Sequence, residues 1–165
     1  MASKKGIVIT AIILASITGA SFIIWQIPTD PQMSLVVSDF ESHIIGIDER
    51  YKIISSAVDE SFEQMINGEI LPGDYIEIAE ISSSQINSQI VELVESEATD
   101  EWFDSYLNSL ESLRVYNSYI RETIVLANLL NDDSIMSDKE EILTKISLLK
   151  QESMDYAQMS LSTRP

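Results

Sequence analysis

The chain has 165 residues and no cysteine, and its 27 acidic side chains against 10 Lys and Arg give a formal net charge of −17. This length is sufficient for one domain with an apolar core, and the absence of cysteine excludes a disulfide-stabilised scaffold. So acidic a surface repels phosphate backbones, and nucleic acid is therefore excluded as a credible partner.

The first predicted element is a membrane anchor. The run 7–27 contains no ionisable side chain, and as a helix it would extend about 31 Å, the thickness of a bilayer's hydrocarbon core. Lys4 and Lys5 precede the run, whereas no base follows it until Arg50. By the positive-inside rule this asymmetry predicts that residues 1–6 are cytoplasmic and that everything after the anchor is extracytoplasmic at the cell membrane.

The same segment has a second interpretation as a cleaved signal peptide. Its basic start, its apolar middle and the small residues Gly19 and Ala20 follow the order of such a signal. The apolar character resumes after that point, and Trp25 falls where the aromatic belt of a membrane interface is expected, which favours a retained anchor. Both interpretations export the rest of the chain.

One face of the predicted anchor carries small residues. Ala11, Ala15 and Gly19 recur every four positions, a spacing that allows two helix backbones to approach closely in lipid. We interpret them as a helix-docking face for another membrane helix. The alternative is chance, because small residues are common in transmembrane helices.

The remainder, residues 28–165, is predicted to be an all-α domain. Its apolar residues recur every three or four positions, as in helices that bury one face. Asp74 with Glu77 and Ser137 with Glu140 match capping boxes and predict the starts of the second and fourth helices. The four predicted exported helices cover about 32–67, 74–97, 100–131 and 137–161.

Short links between these helices favour an antiparallel, up-down-up-down four-helix bundle. The first and third predicted helices are longer than the other two, which would leave apolar surface for a partner at one end of the bundle. The alternative is that the first exported helix forms a stalk and pairs with a copy of itself.

Candidate contact residues lie on the third predicted helix. Trp102 and Tyr106 could line a ligand cleft between helices, although aromatic residues at helical spacing are more often part of a core. Arg114 and Arg121 are seven positions apart and so lie on one face. They are candidate anion or partner contacts, and intramolecular salt bridges are the alternative.

Catalytic chemistry has little support in the sequence. His43 is the only histidine and lies one turn after Asp39, so that the pair could share a metal ion or a proton, but two groups are too few to define a metal site. The chain lacks the Glu-x-x-His motifs of a di-iron bundle, a Gly-rich phosphate loop and a nucleophile in a recognisable setting. We therefore predict no catalytic residues, no metal ion, no cofactor and no enzyme activity.

The opening 4–10, the Ile-rich run closing in 22–28 and the acidic, cysteine-free helical remainder together resemble small single-pass membrane proteins of ammonia-oxidising archaea. Some of these proteins are similar to helical accessory subunits of the archaeal ammonia monooxygenase complex. The resemblance implies a structural role beside a metal-bearing enzyme and no catalytic residues in this chain.

The preferred functional expectation is a non-catalytic structural or accessory subunit of a membrane protein complex. Its expected partners are the membrane itself and either other membrane subunits or a second copy. The alternative is a membrane-tethered or secreted bundle that binds a ligand as a sensor.

Overall fold

The computed structural model describes residues 37–131 and 139–165. Within these ranges it contains no strand and four α-helices, which confirms the predicted all-α class. The helices are α1 (Phe40–Ile66), α2 (Pro72–Glu95), α3 (Phe103–Asn131) and α4 (Lys139–Ser162).

The predicted anchor over residues 7–27, with its small-residue face of Ala11, Ala15 and Gly19, lies outside the described residues. The capping residue predicted for the fourth helix, Ser137, lies outside them as well. In the part of the chain that the structure describes, no helix combines the length and apolar character that crossing a membrane requires.

The start of α1 is set by Asp39 and not by the residues near 32 where the prediction placed it. One carboxylate oxygen of Asp39 accepts a hydrogen bond from the backbone N–H of Ser42 at 3.0 Å, and the other accepts one from the Ser42 hydroxyl at 2.7 Å. These bonds lower the pKa of Asp39. The first bond also satisfies a helix N–H group that has no carbonyl partner, so the helix begins at Phe40.

The capping box predicted for α2 is wrong. The helix begins at Pro72, two residues before Asp74, and among the described residues no side chain caps it. Proline is well suited to the first helical position, because its fixed φ is already helical and its missing N–H would have no partner there. Asp74 instead lies in the first turn, where a negative charge favours the helix dipole.

The longest helix, α3, is the centre of the bundle. It packs closely against α2 on one side and α4 on the other, and it also contacts α1. Paired side chains show that α2 and α4 both run antiparallel to α3: Tyr75 bonds Thr123 while Ser83 bonds Asn117, and on the other side Ser105 bonds Ser160 while Ser112 bonds Ser153.

The interface between α3 and α4 is built from serine. We call Ser105, Ser109, Ser112, Ser153 and Ser160 the serine seam; all five are buried. Ser112 and Ser153 each donate a hydroxyl hydrogen bond to the other's backbone carbonyl, at 2.9 and 3.0 Å, and Ser105 and Ser160 repeat the exchange at 3.0 and 2.9 Å. A side chain that reaches the main chain of the opposite helix requires that the two backbones lie close together.

Tyrosine fills the centre of the bundle. Tyr75, Tyr116 and Tyr119 are almost fully buried, and the Tyr116 ring lies 5.0 Å from Tyr51 and 5.1 Å from Tyr119, measured between centroids. The Tyr119 hydroxyl donates to Asp59 at 2.8 Å. Burial, followed by the negative charge of Asp59, raises the pKa of Tyr116 and Tyr119 far above that of an exposed tyrosine. These hydroxyls therefore stay protonated at any physiological pH.

The contacts between α1 and the α4 segment are polar and involve long side chains. A tyrosine of α1, a lysine of α4 and an arginine just after α4 bridge the two segments, so this side of the bundle is joined by the ends of side chains and not by close backbone packing. The pairs are Tyr51–Ser153, Asp59–Lys150 and Asp48–Arg164.

Candidate functional site

The end of the bundle at which α1 starts, α2 stops and α3 starts combines a polar cluster with an exposed apolar groove. The turn that joins α2 to α3 begins at Ser96, whose hydroxyl donates to the Leu93 carbonyl at 2.7 Å. Glu97 follows with φ +45, in the left-handed region that side chains other than glycine disfavour by about 1 kcal/mol. A glutamate is thus held in a strained conformation at the edge of the groove.

His43 is the centre of the polar cluster. Its Nε2 lies 3.0 Å from one carboxylate oxygen of Glu92 on α2, and its Nδ1 lies 2.8 Å from the hydroxyl of Tyr106 on α3. The second oxygen of Glu92 accepts a hydrogen bond from Arg50 at 2.8 Å. The cluster therefore joins three helices, and its carboxylate is shared between an imidazole and a guanidinium group.

This geometry allows two proton arrangements. When neutral His43 carries its proton on Nε2 and donates to Glu92, Nδ1 accepts a hydrogen bond from the Tyr106 hydroxyl. When His43 is doubly protonated, Nδ1 donates to Tyr106, whose hydroxyl can then donate to the Phe40 carbonyl at 3.2 Å. In both arrangements each ring nitrogen of His43 has a hydrogen-bond partner within the protein.

Tyr106 links the polar cluster to the apolar groove. It is 4% exposed, and its ring makes edge contacts with Phe40 at 5.8 Å and Trp102 at 6.5 Å while it stacks on His43 at 5.7 Å. Burial raises the pKa of Tyr106 to about 12, and the negative charges of Asp39 and Glu92 add to this effect. The phenol is therefore a neutral hydrogen-bonding group that does not ionise at ordinary pH.

We call the adjacent depression the α2–α3 groove. It has a volume of about 330 Å³ and is lined mainly by apolar side chains, among them Leu93, Val94, Phe103, Tyr106, Leu107 and Leu110. Val94 is 59% exposed, Phe103 56% and Leu107 42%. A cluster of exposed apolar side chains is typical of surfaces that bind a partner or a ligand.

The four residues predicted from the sequence have different surroundings. Tyr106 lines the α2–α3 groove, whereas Trp102 precedes α3 and packs on Tyr106 beside the groove. Arg114 is exposed and pairs with Glu111 at 3.1 Å, in line with the intramolecular alternative. Arg121 is exposed too, and no described residue forms an ion pair with it. The aromatic pair is thus near the groove, while the two arginines are elsewhere on α3.

Sequence reasoning missed the pairing of His43 with Glu92. It grouped His43 with Asp39 on the same helix, but the Asp39 carboxylate is bonded to Ser42 and the imidazole faces α2 and α3 instead. Glu92 lies 49 positions from His43, and no pattern in the sequence links the two. Only the register between α1 and α2 brings the two groups together, and helical periodicity carries no information about that register.

A metal centre has no support within the described ranges. Among residues 37–131 and 139–165, no three His, Cys, Asp or Glu side chains are placed so that they could hold one metal ion.

Comparison with known proteins finds no matching family model, no matching curated protein and no matching solved structure. The functional conclusion therefore depends on the groove and the polar cluster themselves.

Proposed function

We propose that the chain is a non-catalytic accessory subunit of a membrane protein complex and that it contacts another subunit through the α2–α3 groove. The observation that carries this proposal is the clustering of the exposed side chains of Val94, Phe103 and Leu107 around one groove at the end of the bundle. Leaving three large apolar side chains in water has a free-energy cost that burial against a partner removes.

The polar cluster supports a structural role more than a catalytic one. Both ring nitrogens of His43 and both carboxylate oxygens of Glu92 are already hydrogen-bonded within the protein. A general base must instead be free to reach a substrate proton. The cluster joins α1, α2 and α3, and so it stiffens the part of the bundle that presents the groove.

Attachment to a membrane is the part of the proposal that depends on the sequence alone. The apolar run 7–27 would tether the bundle, and Ala11, Ala15 and Gly19 would provide a second contact for the same complex within the lipid. The resemblance to small archaeal membrane proteins makes ammonia monooxygenase one candidate complex for this subunit.

The size of the groove favours one alternative, a tethered bundle that binds a small ligand as a sensor. Its volume of about 330 Å³ lies at the lower end of the range typical of small-molecule sites, and its lining is apolar with one tyrosine hydroxyl nearby. A thermal-shift screen with small apolar compounds tests this alternative. A stabilising compound whose effect is lost in Leu107→Ser would favour it over subunit docking.

The experiment for the preferred function is site-specific photo-crosslinking in cells that make the protein with its natural neighbours. A photo-crosslinking amino acid replaces Leu107 in the groove, and in a matched control it replaces Ile53, which is 71% exposed on α1. After gentle solubilisation and native-size separation, we expect one reproducible membrane-protein adduct from position Leu107 and none from Ile53. Migration of the unmodified protein alone at the size of a monomer, with no adduct, would refute the proposal.

A further inference from the structure

We propose that the occupant of the α2–α3 groove is a cationic amphipathic helix of the partner subunit, with apolar side chains along one face and Lys or Arg along its borders. This inference rests on the proposed function, because it names the chemistry of the partner that the groove would bind. It follows from the charge around the groove and from the dimensions of its apolar lining.

The groove is formed by an acidic stretch of the chain, and the basic residues His43 and Arg50 of α1 are already bonded to Glu92 of that stretch. No Lys, Arg or His occurs between Lys52 and Arg114. Every charged side chain of α2, of the following turn and of the start of α3 is therefore acidic. Along the chain, the exposed acids in or beside the lining segment are Glu95, Glu97, Asp100, Glu101 and Asp104. Within the described ranges none of these five forms an ion pair.

This charge decides between possible occupants. A second copy of the same surface would place two acidic borders opposite each other, and like charges brought together at an interface strongly disfavour association. An anionic lipid surface would be repelled for the same reason. A helix with basic borders would instead form ion pairs with carboxylates that have none within the described residues, while its apolar face would cover the groove.

The dimensions of the groove fit a helix. Its lining on α3 extends from Phe103 to Leu110, which corresponds to about 10 Å, or two turns. On α2 the exposed Val91 lies one turn before Val94 and continues the apolar strip beyond the lining residues. Two turns of a docked helix present apolar side chains at positions i, i+3, i+4 and i+7, which is the usual pattern when a helix binds in a groove.

The test measures binding of synthetic peptides to the full-length protein in a phosphatidylcholine nanodisc. One peptide has leucine at i, i+3, i+4 and i+7 and lysine at its other positions, a second has glutamate in place of lysine, and a third is a scrambled form of the first. Fluorescence anisotropy is recorded over a range of salt concentrations. The groove variants are Val94→Ser and Leu107→Ser, and Ile53→Ser is the matched control for loss of an exposed apolar side chain on another helix.

We expect the lysine peptide to bind at least about tenfold more tightly than the glutamate and scrambled peptides, and to weaken as salt is added. Val94→Ser and Leu107→Ser should each weaken binding by about tenfold, because each removes apolar area from the contact. Ile53→Ser should change the affinity by less than about twofold. Because all three positions are exposed, the variants should fold like the parent protein.

Three outcomes would overturn the inference. Equal binding of the lysine and glutamate peptides, with loss in the groove variants, would refute the charge argument and leave subunit docking intact. Equal binding of the lysine peptide to the parent and to the groove variants would show diffuse attraction to an acidic surface. Crosslinking from position Leu107 to a second copy of the chain would identify self-association instead. The absence of any groove-dependent adduct in cells, in contrast, bears on the proposed function itself.

Discussion

Substitution of Ser153 tests whether the serine seam exists for its hydrogen bonds or for its small size. Ser153 is fully buried, its hydroxyl donates to the Ser112 carbonyl at 3.0 Å, and the same hydroxyl lies 3.2 Å from that of Tyr51. Ser153→Ala removes both hydrogen bonds but keeps the backbones close, and should lower the free energy of unfolding by about 1–2 kcal/mol. Ser153→Leu also forces α3 and α4 apart, and should lower it by about 3 kcal/mol.

The assay is urea unfolding of the full-length protein in mild detergent, followed by circular dichroism and by tyrosine fluorescence. Ser147→Leu on the exposed face of the same helix is the matched control, and it should change the free energy of unfolding by less than about 0.5 kcal/mol. If Ser153→Leu were no more destabilising than Ser153→Ala, the small size of the serines would not matter for stability. That result would refute the argument that the serine seam allows the backbones of α3 and α4 to lie close together.

Three further predictions concern the polar cluster, the strained turn and the tyrosines. Glu92→Gln should lower the free energy of unfolding by about 1 kcal/mol in urea titrations, since the carboxylate bonds an imidazole and a half-exposed guanidinium group; no change would mean that the cluster is not structural. Glu97→Gly should raise the melting temperature by relieving the left-handed φ, whereas Glu80→Gly, in the middle of α2, should lower it; the same sign for both would refute the strain argument. Burial raises the pKa of Tyr75 and Tyr106 to about 12, above the pKa of a tyrosine in the unfolded chain. Their contribution to the free energy of unfolding is therefore fully present below about pH 10 and is lost as the pH rises through 12. Tyrosinate absorbance should accordingly rise together with unfolding, and ionisation well before unfolding would contradict the burial.

The helical content and the approximate position of each helix were predictable from periodicity. Apolar residues at spacings of three and four define a buried face wherever the chain is helical, and this local pattern needs no tertiary information. The end signals were less reliable. The helix α1 begins after Asp39, although the apolar pattern continues before that residue. The helix α2 begins at Pro72, although the capping box had suggested Asp74. Both differences arise because several residues near a helix end can satisfy the same unpaired N–H groups.

The candidate site was predictable only in part. Tyr106 was named as a possible cleft residue with core burial as the alternative, and it is both buried and part of the groove lining. The sequence did not indicate its partner His43 or the contact of His43 with Glu92. The sequence did not predict the α2–α3 groove either, because it depends on how the end of α2 packs against the start of α3. Its lining residues, Val94 and Leu107, follow the same helical periodicity as residues that are buried.

The all-α class, the approximate helix positions and the long acidic stretch could be read from the sequence, since each depends on residues close together along the chain. The tertiary structure alone decided which residues meet across helices. Ser112 and Ser153 are polar, so a search for apolar helix faces does not predict their burial. They are buried because each hydroxyl donates a hydrogen bond to a backbone carbonyl of the opposite helix. The pairing of His43 with Glu92 likewise depends on the register of two helices, a property that arises only when all four apolar faces are packed together.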